Sequence, residues 1–559
     1  MTHSKQLLSS QQPEDYGNPW ARVFPRISLI FLMGWILDCP LRAEAQVAVS
    51  SSVGVRGINA QVLHQSPYQL LGRKIGIGQV EIGRPGLLGF DKISLRNRSM
   101  LPTAVFAQDQ RAKKDQDVDA HAHNVAALMI SQDKVVLGVA PQARLYATAV
   151  GQLGRSGQPE ECRSTNFIAL QNGGDVRAIN FSFGESLGQD PRPNAVLDGN
   201  ALLTQCIDWS ARVHDVVYVI AGNQGDGGIP IPTDNFNGLN VAFTRRDRGV
   251  FRKVDFANLG NELAGVADRR EGRERNLQGR RSIALVAPGS QMDLLNPDGT
   301  ITQASGTSFA APHVTATIAL LQEYGDRRLV ESQGNPAGSQ WSVHSRRHEV
   351  MRAVLVNSAD KMEDSGDGRY LGMSHTILNQ QGKTWLESEA HQNTAFPLDL
   401  QMGAGQLNAF RAYQQLSAGQ QSPSQPVGAI GWDYQSIEAV GSVQDYVFAT
   451  PLQEGMYLAA TLAWDRWVDL DDRNGDGEFQ VGETFSDRGL NNLDLYLMPA
   501  EAKDVKESLW SSVSAVDSFE HLFFRIPSTG RYKLRVSYRD QVHSENQAYG
   551  LAWWGVFSP

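Results

Sequence analysis

The chain has 559 residues, of which 41% are hydrophobic and 20% charged, and its formal net charge is -9. That composition excludes a disordered chain, and the acidity gives no reason to expect nucleic acid as a partner; the length leaves room for two or more globular domains. At the N-terminus Arg22 and Arg26 precede the apolar run Ile27 to Leu37, and Ala43-Glu44-Ala45 is a small-x-small cleavage site. This is the order of a secretory signal over 1–45. The apolar run is too short to span a bilayer as a helix, so no stable membrane insertion is expected. A secreted protein follows, whether extracellular, periplasmic or on the cell surface. Cys39 falls in the segment expected to be removed, which leaves Cys162 and Cys206. An even number of cysteines in an oxidising compartment fits a disulfide, and two free buried thiols are the alternative.

Residues 46–72 are rich in Ser, Gly and Gln and read as a polar leader. Lys74 to Gly83 reads as a buried strand closed by a Gly/Pro turn. His121-Ala122-His123-Asn124-Val125 opens an apolar helix. A helix and a strand follow, ending in Asn180-Phe181-Ser182-Phe183-Gly184. A further helix around Leu202 to Val213 leads into Val216 to Ala221, a β-branched run that empties into Gly222-Asn223-Gln224-Gly225. Buried parallel strands ending in such loops are where α/β sheets hold ligands. Arg269 to Arg281, interleaved with Glu, Gly and Asn, reads as a solvated loop, and Ile283 to Gly289 as another short buried strand. In Gly306-Thr307-Ser308-Phe309-Ala310-Ala311-Pro312-His313-Val314 the apolar residues continue at helical spacing to Ile318 and Leu321. An exposed Ser308 is therefore expected at a helix start, with Pro312 in the first turn. Unpaired backbone donors and the positive end of the helix dipole suit an oxygen that becomes negative during acyl transfer; capping is the ordinary alternative.

The string GTSFAAPHV closely resembles the serine block of the subtilases, the subtilisin-like serine proteases. His121, with Val125 four positions on, resembles the histidine block, although Ala122 stands where Gly is usual and His123 is a rival. Gly222-Asn223-Gln224-Gly225 resembles the oxyanion block, and Ser182-Phe183-Gly184 the edge that pairs with substrate backbone. The resemblance covers roughly Lys74 to Ala418, and the acid, His, Asn, Ser order is that of subtilisin. It implies Ser308 as nucleophile, His121 as base and Asn223 as oxyanion donor, with Ser182, Phe183, Gly184 and Gly222 in the cleft. The acid block departs from the family pattern. Matching Val80-Glu81-Ile82-Gly83 puts Glu81 in the acid's place, matching from Lys74 puts Gln79 there, and Asp91 is a third candidate. A carboxylate can orient the imidazole and Gln cannot, which favours Glu81. The leader is too short for the foldase-like propeptide common in the family, so the activation step stays open.

Gln, Ser and Pro mark a linker over 419–428, and beyond it the pattern has period 2, as in Leu493, Leu495, Leu497 and in Tyr532, Leu534, Val536, Tyr538. The expected fold is therefore α/β, a three-layer subtilisin-like domain over 73–418 with a mostly parallel sheet, followed by a small all-β sandwich or jelly-roll domain over 429–559. Within the latter, Asp472-Arg473-Asn474-Gly475-Asp476-Gly477-Glu478 and Glu483 fit an EF-hand loop without flanking helices. A structural Ca²⁺ clip between two strands is expected, with Asp472, Asn474, Asp476, Glu478 and Glu483 as ligands and no cofactor for catalysis. The reading is a secreted serine endopeptidase acting on polypeptide substrates. Its alternatives are an impaired scaffold on the same fold and an esterase using the same triad.

Overall fold

The computed structural model describes residues 52–151, 157–224, 228–254, 275–333, 341–543 and 546–558. The signal expected over 1–45 lies outside them. Strand β1 (Gly76–Glu81) is buried along its whole length, as an apolar strand covered on both faces should be. It lies between β4 (Arg144–Ala149) and β5 (Val176–Phe181), parallel to both. Outward from β4 come β2 (Ala104–Ala107), parallel, and the short antiparallel β3 (Gln110–Arg111). Outward from β5 come β6 (Val217–Ala221), β7 (Leu239–Asp247) and β8 (Val250–Lys253), of which only β8 is antiparallel to its inner neighbour. Strand β9 (Ile283–Pro288) also pairs with β7 in parallel, and β12 (Ile377–Leu378) closes the far edge. A small hairpin, β10 (Met292–Leu295) with β11 (Ile301–Ala304), stands apart. The chain leaves β1 to one side and returns to the other at β5. Ligands of open α/β sheets lie at such a reversal, beyond the carboxyl ends of the strands.

Helices cover the sheet: α1 (Ala60–His64), α2 (Ala120–Ile130), α3 (Gln158–Ala169), the single turn α4 (Gln171–Gly174), α5 (Leu202–His214), α6 (Thr307–Gln333), α7 (His348–Asn357), the short α8 (Glu389–Gln392) and α9 (Ala409–Ser417). A disulfide joins Cys162 in α3 to Cys206 in α5, 44 residues apart in sequence. The polar leader expected over 46–72 is corrected over its described residues. Val53, Ile58, Leu63 and Leu70 are buried in the same core as α2 and α6. Their spacing follows neither helix nor strand period, which is why the segment reads as polar. The solvated loop expected at Arg269 to Arg281 is also corrected at its described end. Arg280 and Arg281 are buried, stacked over Phe236 and Phe396. Arg280 donates to the carbonyls of Asp234 and Asn235.

The C-terminal strands form two antiparallel four-stranded sheets. One runs β13 (Ile430–Ile437), β22 (Gln547–Trp554), β15 (Tyr457–Trp464), β20 (Phe519–Arg525); the other runs β14 (Val443–Val447), β21 (Tyr532–Asp540), β18 (Asn492–Pro499), β19 (Trp510–Ser512). Between them Tyr446, Leu462, Leu495, Leu534, Val536 and Trp553 make an apolar core, the product of two inward-facing period-2 patterns. Helix α7 lies directly on β22. A Cβ on Gly550 would sit 2.5 Å from the Glu349 carbonyl, so only glycine allows that approach.

Candidate active site

Three strand ends and two helix starts converge beyond the carboxyl edge of the sheet. Glu81 is the last residue of β1 and is 1% exposed. His121 stands in the first turn of α2, whose start is fixed by Asp119, a cap that accepts the Ala122 N–H at 2.9 Å. Between them, Gly83 permits the close packing of that cap, since a Cβ there would fall 2.3 Å from the Asp119 Cβ. Glu81 Oε2 lies 3.3 Å from His121 Nδ1. Burial pulls the His121 pKa down, and the Glu81 charge and hydrogen bond outweigh it, so the net shift is upward.

The rival residues have other employment. Gln79, two residues deeper in β1, donates to the Ala122 carbonyl at 2.8 Å. Asp91 is locked in a fully buried bidentate pair with Arg84 at 2.7 and 2.8 Å, and also accepts from the N–H groups of Leu87 and Asp115. His123 is fully buried, with the Gly86 N–H donating to Nδ1 at 3.1 Å and Asn97 Nδ2 3.1 Å from Nε2. Burial lowers its pKa to about 4.

Ser308 is the second residue of α6 and is only 9% exposed, in contrast to the exposed serine expected. Pro312 lies inside the helix and beyond its first turn. It removes the N–H that would have bonded to the Ser308 carbonyl four residues earlier. Ser182 Oγ takes over, donating to Ser308 O at 3.0 Å. Reciprocally, Ser308 Oγ donates to Ser182 O at 3.2 Å. Nucleophile candidate and strand edge are thus tied together, with Ser182 Oγ itself accepting from Asn180 Nδ2 at 2.9 Å. The Phe309 ring, next to Ser308, lies 5.7 Å from the His121 ring. Among the described residues, Ser308 and His121 share no hydrogen bond. Active-site bonds of this kind are often long before substrate arrives.

The loop after β6 holds the start of α6. Thr307 Oγ1 donates to the Gly222 carbonyl at 2.7 Å, and the Thr307 N–H donates to Gln224 Oε1. Asn223 between them is 2% exposed and accepts the Ile229 N–H at 3.3 Å. Phe183 and Gly184 continue the β5 edge. Gly184 is pressed against the Ile229 and Ile231 carbonyls, where a Cβ would sit at 2.6 and 2.8 Å. The structure therefore gathers Glu81, His121, Ser308, Ser182, Phe183, Gly184, Gly222 and Asn223 at one end of the sheet. Sequence reasoning did not find the Thr307 and Gln224 clamp or the double role of Ser182; the Pro six residues into an apolar helix was the available signal.

The acidic loop stands apart, joining β16 (Trp467–Leu470) to its antiparallel partner β17 (Phe485–Gly489). Asp472 accepts the N–H groups of Gly475 and Gly477 at 2.6 and 2.8 Å, Asn474 that of Asp476 at 3.0 Å, and Asp476 that of Glu478 at 2.8 Å. Glu483 accepts from Arg473 and Gln480 at 2.9 and 2.8 Å. Gly475 and Gly477 both have φ of 76°, which bends the loop back on itself.

Residues 102–376 match the subtilase family. The match begins after β1, so Glu81 lies outside it. Subtilisin Savinase of Lederbergia lenta is 27% identical over 247 residues, which is 44% of this chain and 74% of that protein. The alkaline protease of Alkalihalobacillus alcalophilus is also 27% identical over 247 residues, a stretch that spans about half of that protein, 52%. Among solved structures, fervidolysin from Fervidobacterium pennivorans is 14% identical, covering 88% of this chain and 78% of that one with a TM-score of 0.39. By the family match and these relatives, residues 102–376 are a subtilase-family segment, similar to the subtilisin-like serine proteases.

Proposed function

We propose that this chain is a secreted serine endopeptidase with Ser308, His121 and Glu81 as its triad. Substrate backbone lies along Ser182, Phe183 and Gly184, beside Gly222, by adding a strand to that edge. Ser308 Oγ leaves its bond to Ser182 O and attacks the peptide carbonyl carbon as His121 Nε2 takes its proton. Glu81 holds the opposite nitrogen and balances the imidazolium. Negative charge on the carbonyl oxygen is met by the Asn223 side-chain amide and the Ser308 N–H. The C–N bond then breaks, His121 returns its proton to the amine, and water releases the acyl group by the same steps in reverse order. The observation that carries this reading is the 3.3 Å contact between His121 Nδ1 and Glu81 Oε2, made where β1 ends and near the helix that carries Ser308 in its first turn.

Secretion rests on the apolar run after Arg26 and on the Cys162–Cys206 disulfide, which suits an oxidising compartment. Among the described residues no helix is long and apolar enough to cross a membrane. The acidic loop fits calcium: its donors are all oxygen, and its side chains already converge on one turn. Asp472, Asn474, Asp476, Glu478 and Glu483 would hold the ion, and its contribution is to brace β16 against β17.

Labelling with a fluorophosphonate serine-hydrolase probe tests the triad. Label is expected on the wild-type chain, absent in Ser308→Ala, and strongly reduced in Glu81→Ala with Gln79→Ala retaining it. A folded, calcium-loaded chain that takes no label and cleaves no unfolded protein would leave a binding protein on a protease fold.

A further inference from the structure

Away from the proposed active site, Asp215 caps the end of α5 and His348 begins α7, and the two residues meet. Asp215 Oδ1 lies 2.8 Å from His348 Nδ1 and also accepts the His348 N–H at 2.9 Å. Glu349 Oε2 is 3.3 Å from the same Nδ1. The three ligand atoms all fall within 4.8 Å of one another. On its other side the imidazole is held by Asp465 Oδ2, 2.7 Å from Nε2, and Asp465 is fixed in turn by Arg352 at 2.7 Å.

A proton accounts for only part of this arrangement. One N–H at Nδ1 serves Asp215, and Glu349 Oε2 then faces the same nitrogen with no hydrogen bond of its own. Glu349 is 5% exposed, and a buried carboxylate oxygen left without a donor is costly. A cation in place of that proton is bound by all three groups at once. The surroundings match what a bound metal requires. Metal-ligating histidines commonly give their second nitrogen to a carboxylate, the position Asp465 occupies here. The Asp215 side chain is 30% exposed, which leaves a route from solvent and room for water as a further ligand.

We propose that Asp215, His348 and Glu349 bind one divalent cation of the zinc class, with Asp465 orienting His348 from behind. One nitrogen and two carboxylate oxygens form a three-ligand set suited to Zn²⁺, and unsuited to Ca²⁺ because of the nitrogen. Binding puts the ion where the His348 Nδ1 proton lies. Since Asp465 belongs to the turn after β15, the site clips the end of α5 and the start of α7 to the C-terminal sandwich.

The test uses the full chain carrying Ser308→Ala, stripped with chelator and reloaded with calcium, so that the acidic loop does not compete. Calorimetric titration with Zn²⁺ is expected to give one saturable site, and Co²⁺ a visible ligand-field band. Asp465→Asn should weaken Zn²⁺ by about 10–100-fold, and Asp215→Asn and Glu349→Gln by more. Glu349→Gln keeps the side-chain size and an acceptor oxygen, so it reports binding with the least disturbance of the fold. The proposal is overturned if the parent protein binds no stoichiometric Zn²⁺ or Co²⁺. It is equally overturned if Glu349→Gln and Asp215→Asn bind as tightly as the parent.

Discussion

His123 makes folding stability depend on acid in a way that can be calculated. Its imidazole is 0% exposed, and burial holds its pKa at about 4 against an ordinary value of 6.5. The folded-state value is depressed, so the unfolded chain binds the proton first and stability falls as pH drops from 6.5 towards 4. Linkage gives a loss of about 2 kcal/mol between pH 7 and pH 5, and about 3 kcal/mol by pH 4. His313, fully buried and also near pKa 4, adds a similar share. The perturbation is His123→Gln, a neutral side chain that can still accept from the Gly86 N–H. Urea unfolding at pH 7 and pH 5, in a Ser308→Ala background to prevent self-digestion, reads the difference. The variant should lose about 2 kcal/mol less than the parent over that interval. Equal losses would show that His123 is no more neutral in the fold than out of it, and would restore it as a rival to His121.

Glu81→Gln removes the charge that raises the His121 pKa against burial. His121 must be neutral to act as base, so the acid limb of kcat/KM should move to lower pH while its plateau falls by up to ~10⁴. A limb that stays in place would mean another group titrates there. Replacing Cys162 and Cys206 by serine opens a loop of 44 residues and should cost about 4 kcal/mol of stability, read by denaturant unfolding with and without reductant. Arg84→Met leaves Asp91 buried without its partner and should destabilise by about 3–5 kcal/mol; in whatever fraction stays folded, fluorophosphonate labelling should persist, because Asp91 is given no part in the chemistry.

The strings around His121, Asn223 and Ser308 were legible as local structure because each is short and has a local job: a turn, a cap, then a helix or strand of fixed period. The choice between Gln79 and Glu81 was not. They are two residues apart on one strand, so side-chain alternation puts both on the same face. Depth separates them: Glu81 ends the strand where the sheet opens towards His121, while Gln79 sits one layer lower against the Ala122 carbonyl. Arg280 and Arg281 misled for a related reason. A basic run reads as solvated unless one knows that Phe236, Phe396 and two main-chain carbonyls will surround it. Lys533 and Arg535 likewise alternate with apolar residues as if facing water, yet both are buried around Asp445. In each case the partner is distant in sequence, and pattern reading sees only neighbours.

Pro312 and Ser182 form such a distant pair, and their dependence on each other can be measured. Proline deletes the N–H due to the Ser308 carbonyl, and the Ser182 hydroxyl replaces it at 3.0 Å. Ser182→Ala should therefore strand a buried carbonyl and cost about 1–3 kcal/mol. In a Pro312→Ala background the helix regains its own donor, and the same Ser182→Ala substitution should cost roughly 1 kcal/mol or less. Unfolding of the four proteins completes the cycle, and strict additivity would refute the link. The consequence for catalysis follows from the second half of the pair, the 3.2 Å bond from Ser308 Oγ to Ser182 O. In the proposed mechanism attack requires the hydroxyl to leave that acceptor and turn to His121, and substrate backbone adding along Ser182 to Gly184 competes for the same edge. On that mechanism substrate arrival and release of the Ser308 hydroxyl are coupled. The Ser182→Ala chain keeps its carbonyl and so keeps that parking bond, which predicts that labelling of Ser308 by the small fluorophosphonate survives while stability drops.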